Sequence, residues 1–198
     1  MSKLLREFYV RPSVVQIAKD LLGKYLLTRL EDTVTGGMIV ETEAYAGPED
    51  RASHAYNSRR TSRTEIMFHE GGVAYVYLCY GIHHLFNIVT NVEGNPHAVL
   101  IRAIEPTDGV ELMLHRRNMK EVSPKLSGGP GTLTQALGIK TTHTQTDLTG
   151  EQIWLEDRGF LVPEDEIIAG PRVGVSYAGE DAENPWRFQL KNRSNGVF

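Results

Sequence analysis

Between residues 37 and 45 the chain reads GMIVETEAY, an alternation whose two faces differ in kind. At strand spacing Met38, Val40, Thr42 and Ala44 share one face, and Ile39, Glu41, Glu43 and Tyr45 share the other. The first face is ordinary core. The second sets two carboxylates and an aromatic ring in a row, just before a Gly-Pro turn. The same two-residue period predicts strands at YLLTRLE (25–31), VAYVYLC (73–79), HHLFNIV (83–89), HAVLIRAIE (97–105), RVGVSYAG (172–179) and PWRFQLK (185–191). Tyr80-Gly81 falls between two of these and predicts a hairpin tip, while TVTGG (33–37) predicts the turn ahead of the glutamate strand.

Helical spacing predicts a helix over VVQIAKDLL (14–22), opened by a Ser13–Gln16 capping box and stopped by Gly23. Pro106 and Asp108 introduce a second helix running to about Asn118. SGGPGTLTQALGI (127–139) starts as a glycine-rich turn and becomes a short helix that ends at Gly138. Residues 46–71 follow neither period, and so long a polar loop is usually functional or disordered. Strands mixed with helices outside strict βαβ alternation predict an α+β fold with a mostly antiparallel sheet and a protruding β-hairpin. The length of 198 residues predicts one domain over 1–198, with enough chain for a real core.

Composition narrows the function. The single cysteine, Cys79, excludes an intramolecular disulfide and a multi-cysteine zinc site. No apolar run approaches the ~20 residues of a membrane span, and MSKLLREFYV lacks a signal core, so a reducing, cytoplasmic location is expected. The formal charge of −4 argues against a polyanionic partner, yet Arg51 to Thr64 holds four arginines and no acid. HRRNMKEVSPK (115–125) also leans basic, and such segments can hold a phosphate backbone on one face of an acidic protein. Taken alone, solvated loop charge is the simpler explanation of them.

Several residues could carry chemistry. Glu41 and Glu43 can act as general acid or base, because mutual repulsion raises the pKa of one; they can also bind metal or pair with arginines. YVYLCYGIHH crowds three tyrosines and two histidines into ten residues, and Tyr80 at a hairpin tip is poorly placed to be buried. It suits a wedge between bases or a partner anchor. Arg102 sits among Ala98, Leu100 and Ile104 on its predicted face, so it needs a carboxylate or a phosphate. Asn87, between Leu85 and Val89, must also find partners. SGGPGTL entering a helix suits an anion but lacks the ending of a nucleotide P-loop. Adjacent His83 and His84 point to opposite faces, and His54 has no ligand partner at helical spacing, so no metal site is expected. No G-x-S-x-G elbow is present.

Together these residues resemble the alkyladenine (3-methyladenine) DNA glycosylase family. The resemblance rests on VETEAYAGPEDRASH (40–54), MF (67–68), YVYLCYGIHHLFNIV (75–89), VLIRAIEP (99–106), SGGPGTLTQALGI (127–139) and RVGVSYAG (172–179), in family order. It implies a single mixed domain with a curved antiparallel sheet, in a chain whose length fits a bacterial form. It also implies a monomer that needs no cofactor and acts on double-stranded DNA carrying damaged purines, in association with the nucleoid. Glu43 matches the family's water-activating base, and Arg102 and the Val173 carbonyl match groups that hold the water. Tyr45, His54 and Tyr77 match pocket residues around a flipped base. Asn87 matches the side chain that discriminates against guanine, and Tyr80 matches the residue that fills the gap in the duplex. No lysine matches a nucleophile, which implies a monofunctional enzyme without lyase activity. A lysine is common in the family where Thr132 stands. A non-catalytic binding module and a small-molecule nucleosidase are the rival classes.

Overall fold

The computed structural model describes residues 2–30 and 32–191. Among them are strands β1 (Ser2–Lys3), β2 (Tyr25–Leu30), β3 (Thr33–Tyr45), β4 (Ala74–Cys79), β5 (His83–Thr90), β6 (His97–Asp108), β7 (Ile153–Asp157), β8 (Ile167–Gly170) and β9 (Arg187–Leu190). The α-helices are α1 (Arg6–Tyr9), α2 (Val14–Asp20), α3 (Val110–Arg116) and α4 (Pro130–Leu137). One antiparallel sheet runs in the order β1-β7-β2-β3-β6-β5-β4, and β9, carrying β8, also pairs with β3. This is the expected α+β architecture with an open antiparallel sheet. Glu31, the last residue of the expected YLLTRLE strand, lies outside the described residues.

The long strand β3 organises the site. Its first half pairs with β2 up to Met38, then β9 takes over along Glu41–Glu43, while β6 follows the other edge. The main core lies on one face, where Ile17 and Leu21 around α2 and Leu133 and Leu137 of α4 meet Ile39, Phe86, Ile88, Ile101 and Ile104. Burying each such large side chain contributes about 1.5–3 kcal/mol. Helix α2 begins where expected, with Ser13 Oγ accepting the Gln16 backbone N–H, but the Gln16 side chain turns to Asp20, so the cap is one-sided rather than a capping box.

The irregular segment after Tyr45 holds only short 3-10 turns, Gly47–Glu49, Tyr56–Ser58 and Glu65–Phe68, yet it is packed. Ala55, Ile66, Met67 and Phe68 form a second apolar cluster with Tyr75, Val89 and Ala98 of the sheet. Asp50 pins the turn from within by accepting the backbone N–H groups of Ala46 and Ala52. The apolar residues hidden in this polar stretch therefore tie it to the sheet.

The structure corrects several expectations. TVTGG is not a turn; it opens β3, and the register slips between Gly36 and Gly37. A Cβ at Gly37 would lie 2.3 Å from the Glu105 carbonyl oxygen, so close strand packing, not chain reversal, is why glycine stands there. Strand β6 continues through Pro106 to Asp108, and helix α3 starts only at Val110, because Gly109 at φ +63 supplies the break. RVGVSYAG is not a strand: Gly174 takes φ +78, and Ser176–Glu183 forms 3-10 turns broken by a kink at Gly179. Its alternation is not matched by burial, since Val173 and Tyr177 are exposed. Finally, Ile39 and Ile104 do not share the glutamate and arginine face; both lie in the main core.

Candidate active site

That last correction comes from two compensating bulges. Ile39 pairs with Ile104, Glu41 with Ala103 and Thr42 with Ile101, which leaves Val40 on β3 and Arg102 on β6 without a cross-strand partner. Such bulges re-aim side chains locally. Ile39 and Val40 stay in the core, while Glu41 and Arg102 meet on the opposite face.

Glu43 is the centre of the arrangement, and its side chain is 0% exposed. Oε1 accepts the backbone N–H of Val173 at 2.7 Å and faces Arg102 Nη1 at 3.3 Å. Oε2 accepts the Tyr45 hydroxyl at 2.8 Å. Burial pushes the carboxyl above its ordinary range, opposed by Arg102, the Val173 amide and the Tyr45 hydroxyl. The Tyr45 phenol is itself driven upward by burial and by Glu43, so it remains a donor. Glu41 takes the second share of Arg102, at 2.8 Å from Nε, and also meets Arg187 Nη1 at 3.3 Å. Arg102 therefore finds the carboxylate that its apolar neighbourhood demands, and finds two.

A cavity of about 610 Å³ opens beside this group. Tyr45, Arg102 and Val173 line it, together with His54, Tyr77, Asn87 and Tyr80. The structure thus brings these seven site candidates to one cavity. Glu43 sits behind that wall, held by three of the lining residues.

Each wall has a local cause. Tyr77 and His54 meet edge to face at 4.8 Å. His54 Nδ1 lies 2.8 Å from the Tyr75 hydroxyl, and burial with the nearby Arg63 and Arg59 charges pushes its pKa down to about 4. His54 is thus a neutral hydrogen-bonding group at ordinary pH. Asn87 donates from Nδ2 to the carbonyls of Tyr75 and Leu85, at 3.1 and 3.4 Å, which fixes its amide. Tyr80 stands at the hairpin tip, 90% exposed and at φ +51. The GGPG turn closes the far side: a Cβ at Gly131 would lie 3.0 Å from the His83 ring, so glycine lets α4 reach the hairpin. Thr132 turns inward to donate to the Gly129 carbonyl.

Sequence reasoning missed the support behind Tyr45. Arg172 and Asp50, both with side chains 0% exposed, form a two-pronged ion pair at 2.5 and 2.8 Å. Arg172 also donates to the carbonyls of Ala44 and Asp181 and stacks 4.8 Å from the Tyr45 ring. The pair fixes the chain next to Val173. An acid buried in a polar loop and an arginine opening an apolar run carry no local sign of pairing. Arg63 was also missed as a cavity residue.

Among the described residues, no group of three or more His, Cys, Asp or Glu could hold a metal ion. Nor is any helix long and apolar enough to cross a membrane. A buried, pKa-raised carboxylate beside an aromatic cavity can take a proton from water and stabilise a developing positive charge.

Similarity to known proteins extends over nearly the whole chain. The model of the methylpurine-DNA glycosylase family matches residues 7–194. A Chlamydia felis protein whose name assigns it to the 3-methyladenine DNA glycosylases is 45% identical over 189 residues, covering 94% of this chain and 95% of its own. Similarly named proteins of Chlamydia pneumoniae and Alkaliphilus oremlandii are 44% and 43% identical, covering 98% and 96% of this chain and 97% and 96% of their own.

Proposed function

As the chain belongs to the methylpurine-DNA glycosylase family, we propose that it extrudes damaged purines from duplex DNA into this cavity and hydrolyses their N-glycosyl bond. Hydrolysis of that bond in base excision repair is the family's reaction; the roles of the residues are the present reading. The observation that carries it is Glu43, buried and raised in pKa, behind a cavity walled by tyrosines.

The extruded base enters between Tyr45 and Tyr77, with the neutral His54 at its edge. Purines alkylated at N3 or N7 carry positive charge, stack well on electron-rich rings and leave without an acid. Glu43 accepts the proton of the attacking water, and its charge stabilises the oxocarbenium-like sugar. Arg102 and the Val173 backbone hold the carboxylate and the water in place. Asn87, fixed by two carbonyls, discriminates against guanine. Tyr80 fills the space that the nucleotide leaves.

Among the described residues no lysine lines the cavity, so the strand is left intact at the abasic site. The substrate class is 3-methyladenine, 7-methylguanine, hypoxanthine and ethenoadenine, and the protein acts as a single-domain monomer. The test is base release under single-turnover conditions from duplexes bearing each lesion, with wild type and Glu43→Gln side by side. Release by the wild type that disappears in the variant supports the assignment. Equal release by both removes Glu43 from the mechanism.

A further inference from the structure

The loop arginines have different surroundings. Arg60 makes a two-pronged bond to Glu65 and stacks on Phe68. Arg63 forms no salt bridge among the described residues. Its guanidinium rests 4.6 Å from the centre of the Tyr77 ring, inside the cavity lining. Nε donates to the Tyr75 hydroxyl and Nη2 to His54 Nε2, each over 3.3 Å. The guanidinium is a flat cation that lies on an aromatic face and donates from its edge. An alkylated purine shares the first two properties.

We propose that Arg63 occupies the seat of the flipped base in the DNA-free protein, keeps free purines out, and passes to the phosphate backbone when a nucleotide enters. This rests on the base-pocket reading above. The two bonds are long and the side chain is exposed, so displacement requires little reorganisation. Arg63 has no carboxylate to leave behind, and a phosphate compensates its charge outside the cavity. Selectivity for a base attached to DNA follows, because only a nucleotide arriving with its backbone supplies the cation with a new partner. His54 suits both states, since its low pKa keeps it neutral and able to accept from Arg63.

The test measures two quantities on the DNA-free protein and its lesion complex, for wild type, Arg63→Ala and Arg63→Lys. Binding of free 3-methyladenine, read by equilibrium dialysis, should tighten about fivefold or more in Arg63→Ala, the scale of one cation–π contact. Lesion-duplex affinity should weaken in the same variant, with the log–log salt slope shallower by about one. Arg63→Lys should restore the salt slope while still admitting the free base, because an ammonium cannot lie flat on Tyr77. Free base bound no tighter by Arg63→Ala than by wild type would make Arg63 a passive wall and overturn the proposal. A lysine that excludes the free base as well as arginine does would place the effect in general charge repulsion, with the same consequence. Absence of purine release by wild type from methylated duplex would instead overturn the glycosylase reading, and this proposal with it.

Discussion

The backbone N–H of Val173 donates to Glu43 Oε1 over 2.7 Å, closing a contact across 130 residues. That bond joins a turn late in the chain to the strand that carries the carboxylate. Together with Tyr45 and Arg102 it leaves the charged form of Glu43 well bonded but fully buried.

The first prediction concerns the titration of Glu43. Its carboxyl is raised above the ordinary 4.5, chiefly by burial. As pH climbs from 4.5 toward the raised value, the unfolded chain gives up its proton first, so stability should fall with pH. Excision should rise through the same window, as the base ionises. Glu43→Gln should flatten both trends and cut single-turnover release by ~100-fold or more. Melting temperatures and rates across a pH series would check the opposed slopes; parallel slopes would contradict them.

Arg102 and Glu41 should shift that acid limb in opposite directions. The Arg102 charge lowers the Glu43 pKa and the Glu41 charge raises it. Arg102→Ala should therefore lose activity most at neutral pH and recover part of it in alkali. Glu41→Gln should act mildly, with the limb moved toward acid. The pH profile of single-turnover excision decides; a uniform loss for Arg102→Ala, with stability collapsing alongside, would make the arginine purely structural.

The buried pair behind Tyr45 should matter for folding. Arg172→Ala leaves Asp50 buried without its cation, a change that costs about 3–5 kcal/mol. Denaturant titration should show it, and excision by the remaining folded protein should fall because Val173 loses its neighbouring anchor. A loss below about 1 kcal/mol would show that water relieves the charge.

DNA affinity should fall with salt despite the formal charge of −4. Glu65 compensates Arg60, which removes one loop charge from the count. The log–log slope should then be about −2 to −4, for two to four neutralised phosphates. A flat dependence would leave the basic loop as solvated surface.

Tyr80→Ser should shift flipping back toward the stacked duplex while the Glu43 contacts stay intact. Excision should slow most for lesions that pair well and least in single strands, where less stacking is broken. Tyr80→Phe should restore most of the rate, since filling space needs no hydroxyl. Unchanged fluorescence from a base analogue beside the lesion, together with slowed excision, would move Tyr80 from the duplex to the pocket.

Much of this was legible in local pattern. The hairpin needed only two alternating runs around Tyr80-Gly81, and Arg102 declared its need for a carboxylate by its apolar neighbours. What stayed hidden depends on distant chain. Asp50 and Arg172 lie 122 residues apart, and neither segment records the other. TVTGG resembles a turn until Glu105 is known to press against Gly37. RVGVSYAG alternates like a strand, yet most of its fixing bonds come from Arg172 and Val173 to the region around Glu43.

The paired bulges at Val40 and Arg102 make the carboxylate pair a phase slip within two strands that otherwise run in step. On either side of the slip the cross-strand partners keep one constant offset, from Ile39–Ile104 to Thr42–Ile101. Deleting Val40 alone would leave the Arg102 bulge without its counterpart and put the two strands one residue out of step up to Tyr45. Deleting Val40 and Arg102 together would restore the phase and delete the guanidinium. The reading frame of the sheet and the charge balance of the site are thus one constraint, so this stretch can exchange side chains far more readily than it can change length.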